Sequence, residues 1–202
     1  MKKLILLRHG KASMDGIDSE RKLDEDGLVQ ATSLKKKLDI ILGDEKLKIK
    51  IFSSPFTRAL QTINPFLIEN DINLNISQDL REIKIGKSDE LTKHEIIKKM
   101  WEDQNFSVAN GESQNDYISS IKPGINEILN DFFTGEHSLI LVTHGNSIGI
   151  LFNDFFSVKF SYESWKEISM PDLYILNFNS YNKVENYIRD TKDIEKTFYI
   201  KK

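Results

Sequence analysis

Short apolar runs alternate along this chain with stretches whose apolar residues recur every three or four positions, and the two spacings call for different elements. Residues 4–7, Leu-Ile-Leu-Leu, are a continuous apolar run that reads as a central strand. Over 25–42, Leu28, Ala31, Leu34, Leu38 and Ile41 fall at helical steps. A second strand is predicted at 49–53, followed by Ser54 as N-cap and Pro55 at the first position of a helix reaching about residue 69. Residues 74–76 read as a short strand, and the polar segment 82–110 as an insertion holding a helix near 91–102. Ser113 and Asp116 have the spacing of a capping box, so a helix starts there and runs to about 133, with Pro123 a point where it would bend. Residues 138–143 form the most hydrophobic strand, 146–156 a buried helix, and 173–178 with 184–188 two late strands joined by a turn-like 180–183. The alternation predicts a three-layer α/β/α fold with a mostly parallel sheet. No linker divides it, so the expectation is one domain over 1–202 with a lid-like helical insertion at about 82–112.

Composition narrows the function classes. A chain of 202 residues, 39% hydrophobic and 29% charged, has room for one substantial core and no low-complexity tract. A net charge of -3 and a pI near 5.9 give no basic face for nucleic acid or for an anionic membrane. With no Cys, disulfides, thiolate nucleophiles and zinc or iron-sulfur ligation by thiolates are all excluded, which suits a reducing cytoplasm. Met1-Lys2-Lys3 followed by Leu4 has the start of a signal peptide, but Arg8 ends the apolar run far short of the roughly 20 residues that span a bilayer. The chain is therefore expected to be soluble and cytoplasmic. Monomer or homodimer is left open; Phe198, Tyr199 and Ile200 either meet a neighbouring chain or return as an edge strand.

Three loops with chemically able residues begin where predicted strands end: Arg8-His9-Gly10, Ser53 to Arg58, and Thr143-His144-Gly145-Asn146. Ligands of open α/β sheets bind beyond the carboxyl ends of the strands, so these loops are expected to share one crevice. Gly10 and Gly145 let the backbone approach a ligand closely, and a helix opening at Ser54-Pro55 would offer free N–H groups to an anion. Two guanidiniums can hold a phosphoryl group while a neutral imidazole attacks phosphorus, and the cationic neighbours help keep that imidazole unprotonated. Glu82, in Leu80-Arg81-Glu82-Ile83, is the candidate to protonate the leaving oxygen and then to activate water.

In order along the chain, Leu7-Arg8-His9-Gly10, residues 23–31, residues 53–62, Leu80-Arg81-Glu82, Gly111-Glu112-Ser113 and residues 143–147 resemble the histidine phosphatase, or phosphoglycerate mutase-like, superfamily. The resemblance spans about residues 4–150 and implies that His9 is the phosphorylated nucleophile. It further implies that Arg8, Arg58 and His144 form the phosphate pocket, that Glu82 is the proton donor and later the base, and that no metal or other cofactor is used. Gly10, Gly145 and Asn146 are expected to line the substrate. The partner implied is a small phosphorylated molecule. Ala12, Asp15, Ile83 and Ile85 stand where phosphoglycerate mutases carry Ser, Asn, Arg and Tyr, which disfavours a second phosphate site. Residues 144–147 are mutase-like, so a cofactor-dependent phosphoglycerate mutase is the alternative enzyme. Residues 8–12 resemble the smaller phosphohistidine phosphatases, which lack the insertion and the Gly-Glu-Ser segment.

Against these stand plainer readings. A lone histidine is more often a turn or core residue than a catalyst, but two His-Gly pairs at strand ends beside arginines reverse those odds. No carboxylate stands at ligand spacing from His9 or His144, and Arg8 would repel a cation. Arg58 could serve only as a surface residue of an amphipathic helix, and Glu82 is a common exposed type. Ser113 and Asp116 read as a helix cap, Glu112 is undecided, and Lys87, Lys93 and His94 are distal candidates for an acidic substrate. Trp101 and Phe106 read as lid or core and Trp165 as core. A non-catalytic module that binds phosphorylated ligands is the reading from another class.

Overall fold

A computed structural model describes residues 2–190 and 195–199. Its centre is the first apolar run, β1 (Leu4–Arg8), lying beside β4 (Ser138–Thr143), which is buried along its whole length. With β2 (Ile49–Ser53), β3 (Leu74–Ile76), β5 (Asp172–Phe178), β6 (Val184–Asp190) and β7 (Glu195–Tyr199) they form one sheet in the order β3-β2-β4-β1-β5-β6-β7. The pairs β3-β2, β2-β4 and β4-β1 are parallel, and β5, β6 and β7 continue the sheet as an antiparallel meander. Most strands thus share one direction. The end of the chain returns as the edge strand β7, which carries Phe198 and Tyr199; Ile200 lies outside the described residues.

Strand periodicity distributes the core over both faces. Ile5, Leu7, Ile140 and Val142 pack on one side against α1 (Glu25–Leu42) and α2 (Thr57–Asn70), through Leu34, Leu38, Ala59, Ile63 and Phe66. Leu4, Leu6, Leu139 and Leu141 pack on the other side against α3 (Lys93–Glu102), α4 (Gln114–Thr134) and α5 (Gly145–Ile150), which continues as a π-helical turn at Leu151–Phe155. This is the three-layer α/β/α arrangement. Asp24 caps α1 by accepting from Gly27 N, Thr92 and Glu95 form a capping box on α3, and Ser113 caps α4 by accepting from Asp116 N. α4 is a single helix that passes through Pro123, and Lys2 Nζ donates to Phe132 O, Phe133 O and Gly135 O at its carboxyl end.

One expectation needs correction. Ser54 and Pro55 do not open α2: the helix begins at Thr57 with Phe56 as an N-cap that makes no side-chain bond. Ser54 Oγ instead accepts from Phe56 N at 3.2 Å and lies 2.7 Å from His144 Nε2, while Thr57 N is already bonded to Ser19 O at 3.0 Å. The first N–H of this helix is therefore committed to the loop after β1. The five-residue helix α6 (Tyr162–Lys166) carries too short a periodic signal to register in the sequence.

The two ends of the segment 84–112 are held together by close backbone approach. Lys87 N donates to Ala109 O and Glu112 N to Lys84 O, joining the two ends of the segment. Gly86 takes φ +77°, and a Cβ there would lie 2.6 Å from Gly111 N. Trp101, Phe106 and Trp165 are partly buried against the core cluster.

Candidate active site

The carboxyl ends of β1, β2 and β4 bring the three loops together, because β4 lies between the other two. His9 N donates to Thr143 O, fixing the residue after β1 against the end of β4. The His9 and His144 rings are edge to face with centroids 5.0 Å apart.

His9 is buried, and its two ring nitrogens have different partners. Nδ1 lies 2.7 Å from Gly10 O, and Nε2 accepts from Arg58 Nε at 3.1 Å. Both contacts agree with the tautomer protonated at Nδ1, which leaves the Nε2 lone pair facing the arginine. Burial first, and then the charge of Arg58, push the His9 pKa down to about 3, against a smaller opposing effect of the Gly10 carbonyl. His144 is shifted the same way, by burial first and then by His9, Arg58 and Arg8. Its Nε2 faces Ser54 Oγ, and its Nδ1 has no hydrogen-bond partner.

The arginines are held from behind. Arg58, only 2% exposed in the first turn of α2, donates from Nη1 to Asp18 O and from Nη2 to Asp18 Oδ2. Asp18 also binds Arg21, whose Nη1 reaches Ser13 O. Burial pushes the Asp18 carboxyl up, but the two guanidiniums outweigh it and leave the group below its ordinary value. Arg8 Nη1 donates to Ile168 O and Ser169 O at 2.8 and 3.0 Å, while its buried Nε has no partner. A Cβ at position 145 would come within 3.3 Å of Arg8 Cζ, so Gly145 lets the turn after β4 lie against the guanidinium.

Glu82 joins the crevice through the turn after β4. Its Oε1 accepts from Ile83 N, Ser147 N and Ser147 Oγ, and its Oε2 from Asn146 N and Asn146 Nδ2. Asn146 is thus engaged with Glu82. Gly10 N donates to Thr62 Oγ1. Glu112 forms a two-bond ion pair with Arg81 and accepts from Lys84 N, which gives it a structural place where the ends of the segment 84–112 meet. His94 sits edge-on to Trp165.

The structure therefore brings His9 into contact with Arg58 and His144 and sets Arg8 against Gly145, with Gly10 in the turn after β1 and Glu82 bonded to Asn146 alongside. Sequence reasoning missed Asp18 and Arg21 and took Ser54 only as a helix cap. The signal for the first two was a charged pair, three residues apart, in the loop that follows the His9 strand. For Ser54 it was a hydroxyl at the end of β2, read as a cap. Among the described residues, no group of three or more His, Asp or Glu could hold a metal ion. Nor is any helix among them long and apolar enough to cross a membrane.

Comparison with solved structures finds the same fold at low identity. A mycobacterial glucosyl-3-phosphoglycerate phosphatase in complex with inorganic phosphate is 20% identical, with a TM-score of 0.70 and coverage of 95% of this chain and 96% of that one. A phosphoserine phosphatase mutant from Entamoeba histolytica, in complex with phosphoserine, is 18% identical with a TM-score of 0.64, covering 93% and 96%. The protein described as mycobacterial hydrolase 1 gives 20% and 0.70, covering 96% and 99%. No individually curated protein matches the chain. A family profile matches residues 4–191, nearly the whole chain, and by that match the protein belongs to the histidine phosphatase superfamily (branch 1).

Proposed function

We propose that the chain is a metal-independent phosphatase that hydrolyses phosphomonoesters through a phosphohistidine at His9. One observation carries this reading: the His9 Nε2 lone pair faces Arg58 at 3.1 Å, beside two buried nitrogens without a partner, Arg8 Nε and His144 Nδ1, the latter a donor in the tautomer whose Nε2 accepts from Ser54 Oγ. Unsatisfied buried donors are costly, and a phosphoryl dianion supplies the acceptors they lack.

In the first step His9 Nε2 attacks phosphorus. The N–P bond forms as the ester P–O bond breaks, and Glu82 protonates the departing oxygen. Arg58 turns its Nε–H from His9 to a phosphoryl oxygen, and with Arg8 and His144 it stabilises charge in the transition state. The Gly10 carbonyl, bonded to Nδ1–H, steadies the positive ring as the N–P bond forms. Water then attacks phosphorus and gives a proton to Glu82, the N–P bond breaks, and inorganic phosphate leaves. The depressed pKa of His9 keeps the nucleophile unprotonated at neutral pH.

The names of two similar structures, a glucosyl-3-phosphoglycerate phosphatase and a phosphoserine phosphatase, agree with hydrolysis of a small phosphorylated substrate. A mutase is disfavoured by the apolar residues at 83 and 85, of which Ile83 is buried in the core. We take residues 82–112 as a lid-like insertion within one domain. The lack of cysteine favours a cytoplasmic setting.

The test is release of inorganic phosphate from p-nitrophenyl phosphate and 3-phosphoglycerate in excess EDTA, with His9→Ala alongside. EDTA-resistant release that disappears in the variant is expected. Retention of more than a few per cent of the rate by His9→Ala overturns the nucleophile, and loss of activity in EDTA overturns metal independence. Conversion of 3-phosphoglycerate to its isomer identifies a mutase, and binding without release identifies a phospho-ligand module.

A further inference from the structure

The carboxylate of Glu82 is held unevenly. Oε1 takes three hydrogen bonds of 3.0 to 3.2 Å, whereas Oε2 takes two of 3.3 and 3.4 Å, from the backbone and side chain of Asn146. Four of the five donors are N–H groups. The fifth is the Ser147 hydroxyl, which has one hydrogen to give and three oxygens within reach: Glu82 Oε1 at 3.0 Å, Arg81 O at 2.9 Å and Tyr117 Oη at 2.9 Å. The distances are nearly equal, so Ser147 alone would divide its hydrogen between the backbone and the carboxylate.

Tyr117 changes that balance. Its hydroxyl lies 2.6 Å from Arg81 O, and its ring, fully buried on α4, is covered by the Arg81 guanidinium at 4.9 Å. The phenolic hydrogen goes to Arg81 O, the nearer of its two acceptors, which satisfies the carbonyl and leaves the Ser147 hydrogen to the charged oxygen of Glu82. Burial pushes the Tyr117 pKa up, so the hydroxyl keeps that hydrogen.

We propose that Ser147 and Tyr117 are coupled positioning residues that anchor Oε1 of Glu82 and leave Oε2 as the oxygen that gives and takes the proton. Oε1 accepts in both states, as the carbonyl oxygen of the acid and as one oxygen of the carboxylate. The proton therefore leaves and returns at Oε2 without rearrangement of the donors around Oε1. This rests on Glu82 being the acid and base of the proposed reaction.

The test compares kcat/KM on p-nitrophenyl phosphate, whose leaving group needs little protonation, with that on glycerol 2-phosphate, an alkyl ester. It uses Ser147→Ala, Tyr117→Phe, the double variant and Ser147→Thr, with Glu82→Gln as reference. Each single variant is expected to lose roughly tenfold on the alkyl ester, about the worth of one buried hydrogen bond to a charged group, and under threefold on the aryl ester. The double variant should lose no more than the worse single one, because Tyr117 acts only through the Ser147 hydrogen. Ser147→Thr should recover most of the loss.

Equal losses on the two esters, or multiplied losses in the double variant, overturn the proposal even where Glu82→Gln is selective for the alkyl ester. Equal losses in Glu82→Gln itself overturn the acid role, and the positioning role falls with it. Should Ser147→Ala fail to fold, Tyr117→Phe, which conserves volume, decides alone by the same comparison.

Discussion

Arg58 serves two masters, the nucleophile in front and Asp18 behind, and a guanidinium suits this because its N–H groups are fixed in one plane. A lysine ammonium is a single point and cannot span the same contacts. Arg58→Lys should therefore lower kcat/KM on p-nitrophenyl phosphate about hundredfold, in the range for removing one preorganised transition-state donor. A loss under fivefold would contradict that role. Asp18→Asn keeps the backbone carbonyl under Nη1 but removes the charge, so KM should rise several-fold with a smaller change in kcat; an unchanged KM would show that Asp18 does not hold Arg58 for binding. The residues that touch the proposed phosphate site were legible in the sequence because each stands in a short pattern at a strand end. Asp18, Arg21 and Tyr117 were not, because they act through another side chain over separations that no local pattern encodes.

Elements defined by strong periodicity, a continuous apolar run or a cap were readable at nearly their observed bounds, including α1, β4 and α4. The start of α2 was misread because Ser-Pro has the form of a helix opening, while Ser54 has a stronger use against His144. The segment 84–112 illustrates a different limit. Its composition revealed a polar helical segment, but not that its two ends are pinned by Gly86 and Gly111. Gly86 combines a positive φ with a neighbouring backbone that leaves no room for a Cβ. Gly86→Ala should destabilise the protein by roughly 1–3 kcal/mol, the range for a strained backbone position, and should speed amide exchange over residues 84–111 more than in β1 or β4. A Tm and an exchange pattern equal to those of the parent would mean that the segment does not depend on this approach.

At the scale of the whole molecule, a crevice built from the ends of buried parallel strands ties the stability of the fold to the protonation of its histidines. Burial holds His9, with a pKa near 3, and His144 neutral in the folded chain, and His137 is lowered in the same direction by burial first and then by Lys50. An unfolded histidine titrates near about 6.5, so below that pH the unfolded chain binds more protons than the folded one. Stability must then rise with pH through this window and fall as the solution is acidified. Between pH 6.5 and 4.5 each histidine that stays neutral in the fold costs roughly 2 kcal/mol. Asp18 and Glu112, held below their ordinary values once their ion pairs outweigh burial, add a loss of the same sign, but chiefly below the usual carboxylate range of about 4. Urea melts of the wild type at pH 6.5, 5.5 and 4.5 should therefore show a steady decline. His9→Gln, which places an uncharged group of similar size at the end of β1, should lessen that decline by roughly 2 kcal/mol. An identical decline in the two proteins would mean that His9 takes up its proton without leaving the folded state, and would remove the electrostatic reason for treating it as a neutral nucleophile.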